Sequence, residues 1–250
     1  MNARRRLDAD LVRRGLVHSR SDGQALIDQH RVLVNGAIAE KPSRLVAPGD
    51  QVVVSGPPAR FVGRGGLKLD HALDVFNIDV KGLRVLDAGA STGGFTDCVL
   101  QRGADRVLAA DVGHGQLHER LRADRRVINM ERTNVRHLTI KMIDGPVDLV
   151  VGDMSFISLR LVIVPLVAVC KPGASMVLLV KPQFEAGRSE VSRGRGVISD
   201  PAVWSRVRHE VESSLIDAGC AILDWTDSPI AGADGNREFL VHARSPQEAV

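Results

Sequence analysis

Aromatic side chains are scarce in this chain: among 250 residues there are two tryptophans, six phenylalanines and no tyrosine. So small a supply argues against a protein that binds single strands along a row of exposed rings. Cysteine is rarer still. Cys98, Cys170 and Cys220 are far apart and odd in number, which suggests neither a disulfide framework nor a CxxC metal site. The histidines show no ligand spacing, so no metal is expected. Long apolar runs are missing as well: the longest, residues 161–170, is broken by Pro165 and fits a buried helix, not a bilayer span. The opening Met-Asn-Ala-Arg-Arg-Arg has no apolar core of a signal peptide, so a reducing cytoplasm is the expected compartment. Lysine is also sparse, six of the 33 basic residues, which gives weight to any lysine found at a strand end.

What is present is unevenly distributed. Residues 1–60 hold 10 Lys+Arg against 6 Asp+Glu, while residues 61–250 are nearly balanced. The basic excess therefore sits in the first quarter, as in a phosphate-gripping module joined to a nearly neutral enzyme. A chain of this length with 44% hydrophobic residues has core enough for one large domain and one small one. The expected division is a module at 1–56, a linker at 57–62 around Gly56-Pro57-Pro58-Ala59, and a main domain at 63–250.

The first module reads as a helix over 6–15 stopped by Gly15, and a second helix capped by Ser21. A strand Val32-Leu33-Val34 follows, with an Asn35-Gly36 turn, and Pro48-Gly49-Asp50 turns into a strand over 51–54. With Ser19-Arg20, Lys41-Pro42-Ser43 and Gly49-Asp50 in place, this order resembles an S4 RNA-binding domain, with His30 standing where that family usually has glycine. The resemblance implies that Arg4, Arg5, Arg6, Arg13, Arg14, Arg20, Arg31, Lys41 and Arg44 grip structured RNA by shape and phosphate.

In the main domain, strand candidates fall at 84–88, 106–111, 126–130, 147–152, 175–180, 220–225 and 237–242, with helices between them. The clearest helix, 201–218, has Asp200 as cap, Pro201 in its first turn and Gly219 as its stop. Such alternation predicts an α/β fold, a parallel-rich Rossmann-like sheet with helices on both faces. Ligands of an open α/β sheet lie off the carboxyl ends of its strands. The first strand ends in Asp87-Ala88-Gly89-Ala90-Ser91-Thr92-Gly93-Gly94-Phe95, a glycine turn into a helix. Ser91 stands where a dinucleotide fingerprint needs its second glycine, and Asp87 would repel a pyrophosphate. The same carboxylate suits the sulfonium and ammonium groups of S-adenosylmethionine. Asp87, Gly89, Ala90, Ser91, Thr92, Gly93, Gly94 and Phe95 are accordingly the expected cofactor turn. Asp111, ending the second strand, is positioned to take the ribose hydroxyls, Asn134 the adenine, and Asp153 lies near the methyl donor.

Lys68, Asp153, Lys181 and Glu238 complete the pattern. Asp153 and Lys181 end strands, Glu238 opens the last one, and Lys68 follows Arg64-Gly65-Gly66-Leu67. Together they resemble the Lys-Asp-Lys-Glu set of RNA 2′-O-methyltransferases of the FtsJ-like fold. The further blocks Gly113 with Gly115-Gln116-Leu117, Glu131-Arg132-Thr133-Asn134, Ser155-Phe156-Ile157-Ser158, Pro182-Gln183-Phe184-Glu185 and Gly235-Asn236-Arg237-Glu238 are similar to the TlyA family, an S4 module fused to such a methyltransferase. The resemblance implies methylation of cytidine ribose in ribosomal RNA, 16S, 23S or both, with S-adenosylmethionine as donor. On chemical grounds Lys181 is the candidate base, since a lysine serves so only where burial or a second cation destabilises its ammonium form. Lys68 would be that cation, with Asp153 holding Lys181 and Glu238 orienting Lys68. Arg188, Arg193 and Arg195 fall in a stretch, 187–196, that reads as a cationic loop over the RNA. Competing readings are a non-catalytic S4-type assembly factor, a nicotinamide oxidoreductase, and a haemolysin-like membrane-active protein.

Overall fold

A computed structural model of the chain describes residues 4–17, 20–28, 30–56, 59–194, 196–232 and 235–247. Ser19, Pro57, Pro58 and Arg195, which entered the sequence reading, lie outside these residues. The chain divides into two compact units, Met1–Gly63 and Arg64–Val250.

In the first unit, β1 (Arg5–Arg6) leads into α1 (Leu7–Arg13) and α2 (Arg20–Asp28), followed by β2 (Val32–Val34), β3 (Ala37–Ile38), β4 (Leu45–Val46) and β5 (Val52–Val54). β3, β2 and β5 form an antiparallel sheet, and β1 pairs with β4. Leu7, Leu11, Ile27, Val32, Val34 and Val46 make a small core between helices and strands. α2 begins at Arg20, so Ser21 lies inside it and is not its cap. At the end of α2, Arg31 N–H bonds the Leu26 carbonyl while His30 adopts φ +57°. This is the left-handed position that a helix terminus usually reserves for glycine.

The second unit begins with α3 (Gly65–Val75), β6 (Arg84–Ala88), α4 (Gly94–Gln101), β7 (Arg106–Ala110), α5 (Glu119–Arg122), β8 (Val127–Met130) and β9 (Val147–Gly152). It continues through α6 (Ile163–Ala168), β10 (Cys170–Val180), α7 (Pro182–Glu185), α8 (Arg188–Arg193), α9 (Pro201–Asp217), β11 (Ala221–Asp227) and β12 (Phe239–Arg244). The seven strands run in the order β11-β12-β10-β9-β6-β7-β8, with only β12 antiparallel to its neighbours. β6, β9 and the end of β10 are buried on both faces, as the apolar stretches Val85-Leu86, Leu149-Val150-Val151 and Met176-Val177-Leu178-Leu179-Val180 require. The Asp200 carboxylate accepts the Ala202 N–H at 2.9 Å to cap α9, whose Val207, Val211 and Leu215 pack on the sheet. The stretch 187–196, expected as a loop, contains the short helix α8. The chain runs from β6 to β7 in one direction across the sheet, then returns to place β9 on the other side of β6. That switch point opens a crevice between the carboxyl ends of β6 and β9.

Candidate active site

The crevice is shaped first by backbone. Gly89, at φ +87°, packs so closely on the end of β9 that a Cβ there would lie 2.8 Å from the Asp153 carbonyl oxygen. Gly93, at φ +98°, opens α4, and a Cβ on it would collide with Leu121. Ser91 sits in the left-handed region at φ +48° and is exposed. Its N–H donates to Asp111 Oδ2 at 2.8 Å, while Asp111 Oδ1 accepts the Gly113 N–H at 2.7 Å. Asp111 thus ties the turn after β6 to the turn after β7. Asn134 is exposed beside this turn and caps a short 3₁₀ turn by accepting the Arg136 N–H at 3.1 Å.

Asp87 is not at the surface of the turn. It is fully buried, with Thr96 Oγ1 donating to Oδ2 at 2.7 Å and no hydrogen-bond partner for Oδ1. Burial pushes its carboxyl up to about 7, and the nearby Asp153 and Asp111 carboxylates push the same way. Three acidic groups therefore converge on one end of the sheet, Asp153 beside Lys181 at 2.6 Å and Asp87 and Asp111 held by hydrogen bonds.

The four polar residues at the strand ends meet as two pairs. Lys68, 7% exposed on α3, donates to Glu238 Oε2 at 2.5 Å, and Glu238, 2% exposed, directly precedes β12. Lys181, 9% exposed, follows β10 and lies 2.6 Å from Asp153 Oδ1, close but not aligned as a hydrogen bond. It donates instead to Ser155 Oγ at 2.8 Å. The pairs are neighbours: a Cβ on Gly65, one helical turn before Lys68, would lie 3.3 Å from Asp153 Oδ2. Buried ion pairs of this kind recover their desolvation only with good geometry and further hydrogen bonds.

Several contributors carried no individual role in the sequence reading. Ser155 is the hydroxyl partner of Lys181. Phe156 is 92% exposed at φ +64°, with its ring centroid 5.2 Å from that of Phe184. A phenylalanine within Ser155-Phe156-Ile157-Ser158 of an aromatic-poor chain is its trace in the sequence, while its exposure and left-handed backbone show only in the fold. Glu185, buried and held above the usual carboxylate range by that burial, accepts from Ser158 Oγ at 2.5 Å and the Leu159 N–H at 2.7 Å. It fastens the Phe156 loop to the segment carrying Lys181.

In the first unit, Arg6 and Arg20 pair with the buried Asp8, and Arg13 and Arg14 with the buried Asp10. The Arg6 side chain holds the Asp8 carboxyl well below its ordinary range. Arg14 also donates to the carbonyls of Asp50 and Ala47, and Arg31 to that of Ser55, so these two guanidiniums brace the module. Arg4, Arg5, Arg6, Arg13, Arg20 and Lys41 are exposed, and Arg44 is half-buried.

Sheet order, turn and strand-end groups define a Rossmann-like methyltransferase, and comparison with known proteins agrees. Residues 61–245 match the FtsJ-like methyltransferase family, and residues 5–52 match the S4 domain. The chain is 46% identical over 246 residues to the 16S/23S rRNA (cytidine-2′-O)-methyltransferase TlyA of Mycobacterium tuberculosis, covering 98% of this chain and 91% of that one. It is 38% identical to Hemolysin A of Brachyspira hyodysenteriae, covering 95% and 98% of the two chains. A solved structure from Streptococcus thermophilus, described as a hemolysin, superposes with a TM-score of 0.79 at 38% identity, covering 100% of this chain and 92% of that one. The chain belongs to the TlyA family of FtsJ-like methyltransferases. Among the described residues, no helix is long and apolar enough to cross a membrane, and no group of His, Cys, Asp or Glu could hold a metal ion.

Proposed function

We propose that the protein transfers a methyl group from S-adenosylmethionine to the 2′-hydroxyl of cytidine ribose in ribosomal RNA, of the small subunit, the large subunit or both, in the cytoplasm. The observation that carries this reading is the juxtaposition, at one switch-point crevice, of the buried Asp87 carboxyl with its raised proton affinity, the buried Lys68–Glu238 pair and the partly buried Lys181–Asp153 pair. The residues present fit the cofactor. Asp87 Oδ1 is a buried acceptor without a hydrogen-bond partner among the described residues, and glycine at 89 and 93 lets the turn pack directly on the Asp153 carbonyl and on Leu121, where a Cβ would collide. Bound there, S-adenosylmethionine supplies a methyl group already activated on a sulfonium sulfur.

Asp87, with the field of Asp111 and Asp153, favours a cationic ligand. Gly89, Ala90, Ser91, Thr92, Gly93, Gly94 and Phe95 would cradle it, with Asp111 available to its ribose hydroxyls and Asn134 to its adenine. Lys181, aimed by Asp153 and Ser155, would act as the neutral amine, its ammonium proton first released to solvent, and would take the proton of the attacking ribose hydroxyl as that oxygen gains the methyl group. Lys68, oriented by Glu238, steadies the oxygen as its charge develops. Phe156 offers the face on which the target base rests once it leaves its stack. Much of the acceleration comes from holding acceptor and donor in line. The exposed cations of the first unit, Arg4, Arg5, Arg6, Arg13, Arg20 and Lys41, grip structured RNA, and residues 57–62 link that unit to the catalytic one.

The test is transfer of labelled methyl from the cofactor to ribosomal RNA, followed by digestion to nucleosides. Label in 2′-O-methylcytidine is the expected result. Label on a base, or none on either subunit's RNA, would overturn the reading.

A further inference from the structure

Three of the chain's eight aromatic residues lie at one half-open groove outside the crevice. The cavity, about 450 Å³, is lined in part by Trp204, Arg208, His209 and Glu212 of α9 and by Arg237 and Phe239 at the start of β12. The Arg208 guanidinium stacks 4.7 Å from the Trp225 ring centroid and 5.7 Å from that of Phe239. Arg237 stacks 4.9 Å from Trp204 and 5.4 Å from Phe239. Trp204 and Phe239 meet edge to face, and the Trp204 indole N–H is satisfied by the Ile198 carbonyl at 3.0 Å. A guanidinium stacked on a ring keeps its N–H edge directed outward in the plane that suits a phosphate. Trp204, half-buried in the groove lining, is the ring against which a base can stack. Arg237 also pairs with Asp227, but both side chains are about half exposed, 49% and 56%, so an incoming phosphate competes with a weak surface contact.

Position ties the groove to the crevice. Phe239 pairs with Val180, so Arg237 leaves β12 at the end of the sheet where Lys181 leaves β10. Residues 237 and 239 point toward α9, while Glu238 between them turns to the opposite face and meets Lys68. The groove and the reactive pairs thus share one strand end, a single residue apart in sequence.

We propose that this groove is a second nucleic-acid subsite, taking a single-stranded nucleotide that adjoins the target, with its phosphate on Arg208 and Arg237 and its base against Trp204. The inference rests on RNA being the substrate. The test uses the whole protein and an rRNA transcript that it methylates. Trp204 and Trp225 are the only tryptophans and there is no tyrosine, so intrinsic fluorescence reports on this region alone. Saturable quenching by the transcript is expected, retained in part when Trp204→Phe leaves Trp225 as the sole emitter. Arg208→Ala should raise KM for RNA about tenfold, leave kcat and cofactor affinity unchanged, and lower the salt dependence of RNA affinity by about one unit of log–log slope. Arg208→Lys, which keeps charge but loses the planar stack, should fall between. Methyl transfer without any fluorescence change, or unchanged KM in both Arg208 variants, would overturn the subsite alone. No transfer by the wild-type protein would overturn the substrate reading instead, and quenching under those conditions would still support a nucleotide-binding groove.

Discussion

Replacing Asp87 by asparagine tests the electrostatic basis of the proposed cofactor site. The native carboxyl is raised from 3.8 to about 7 by complete burial and by the charges of Asp153 and Asp111. A folded-state value above the unfolded one means that the folded protein holds the proton more tightly between pH 4 and pH 7. Stability from this group is therefore present at low pH and lost as pH rises through 7, a cost of about 4 kcal/mol at pH 8 at 1.36 kcal/mol per unit. Asparagine is nearly isosteric, keeps a partner in Thr96 Oγ1 and never ionises. The variant should resist urea better than wild type at pH 8, with the advantage shrinking toward pH 5. Binding of S-adenosylmethionine should move the other way. If the ionised carboxylate is the binding form, about a tenth of the wild-type sites are competent at pH 6 and nine-tenths at pH 8, so affinity rises about tenfold across that range. Calorimetry on both proteins separates this from titration of the ligand itself, which persists in the asparagine variant as a baseline. Equal affinity and equal pH slope in the two proteins would refute the reasoning.

Lys181→Ala should abolish methyl transfer, by at least a hundredfold in single-turnover assays, while cofactor affinity stays within about twofold of wild type. Gly93→Ala should be destabilising by about 2 kcal/mol or more and weaken the cofactor site, because the new methyl meets Leu121 and the backbone is held at φ +98°; a denaturant midpoint unchanged from wild type would contradict the packing. His30→Gly should raise the stability of the first unit by about 0.5–1 kcal/mol, read from its urea transition, since the left-handed conformation at φ +57° costs histidine more than glycine.

The order of elements was legible residue by residue. Asp200-Pro201 starts a helix and Gly219 ends it because capping and backbone freedom act within one turn of chain. Val85 and Leu86 read as a buried parallel strand because both faces of β6 are covered. The acidic strand ends and the glycine turn were legible for the same local reason, and so was the S4 order of the first unit. The helix within 187–196 was not: α8 is shorter than periodicity can resolve among glycines and arginines.

Chain order and local chemistry alone determined the fold class, the glycine turn after the first strand of the main domain, and the placing of Asp153 and Lys181 at strand ends, whereas Lys68 and Glu238 joined them through the family resemblance. Tertiary structure decided which of them touch. Lys68 and Glu238, 170 residues apart, become partners only because β12 is antiparallel and delivers its first residues to the end where α3 begins. It also decided that Asp87 is buried beneath the turn, not displayed on it, and that Arg14 and Arg31 brace their own module. The physical reason is range. Capping, turns and alternation are settled over a few bonds, whereas desolvation and ion pairing depend on which distant segments exclude water together.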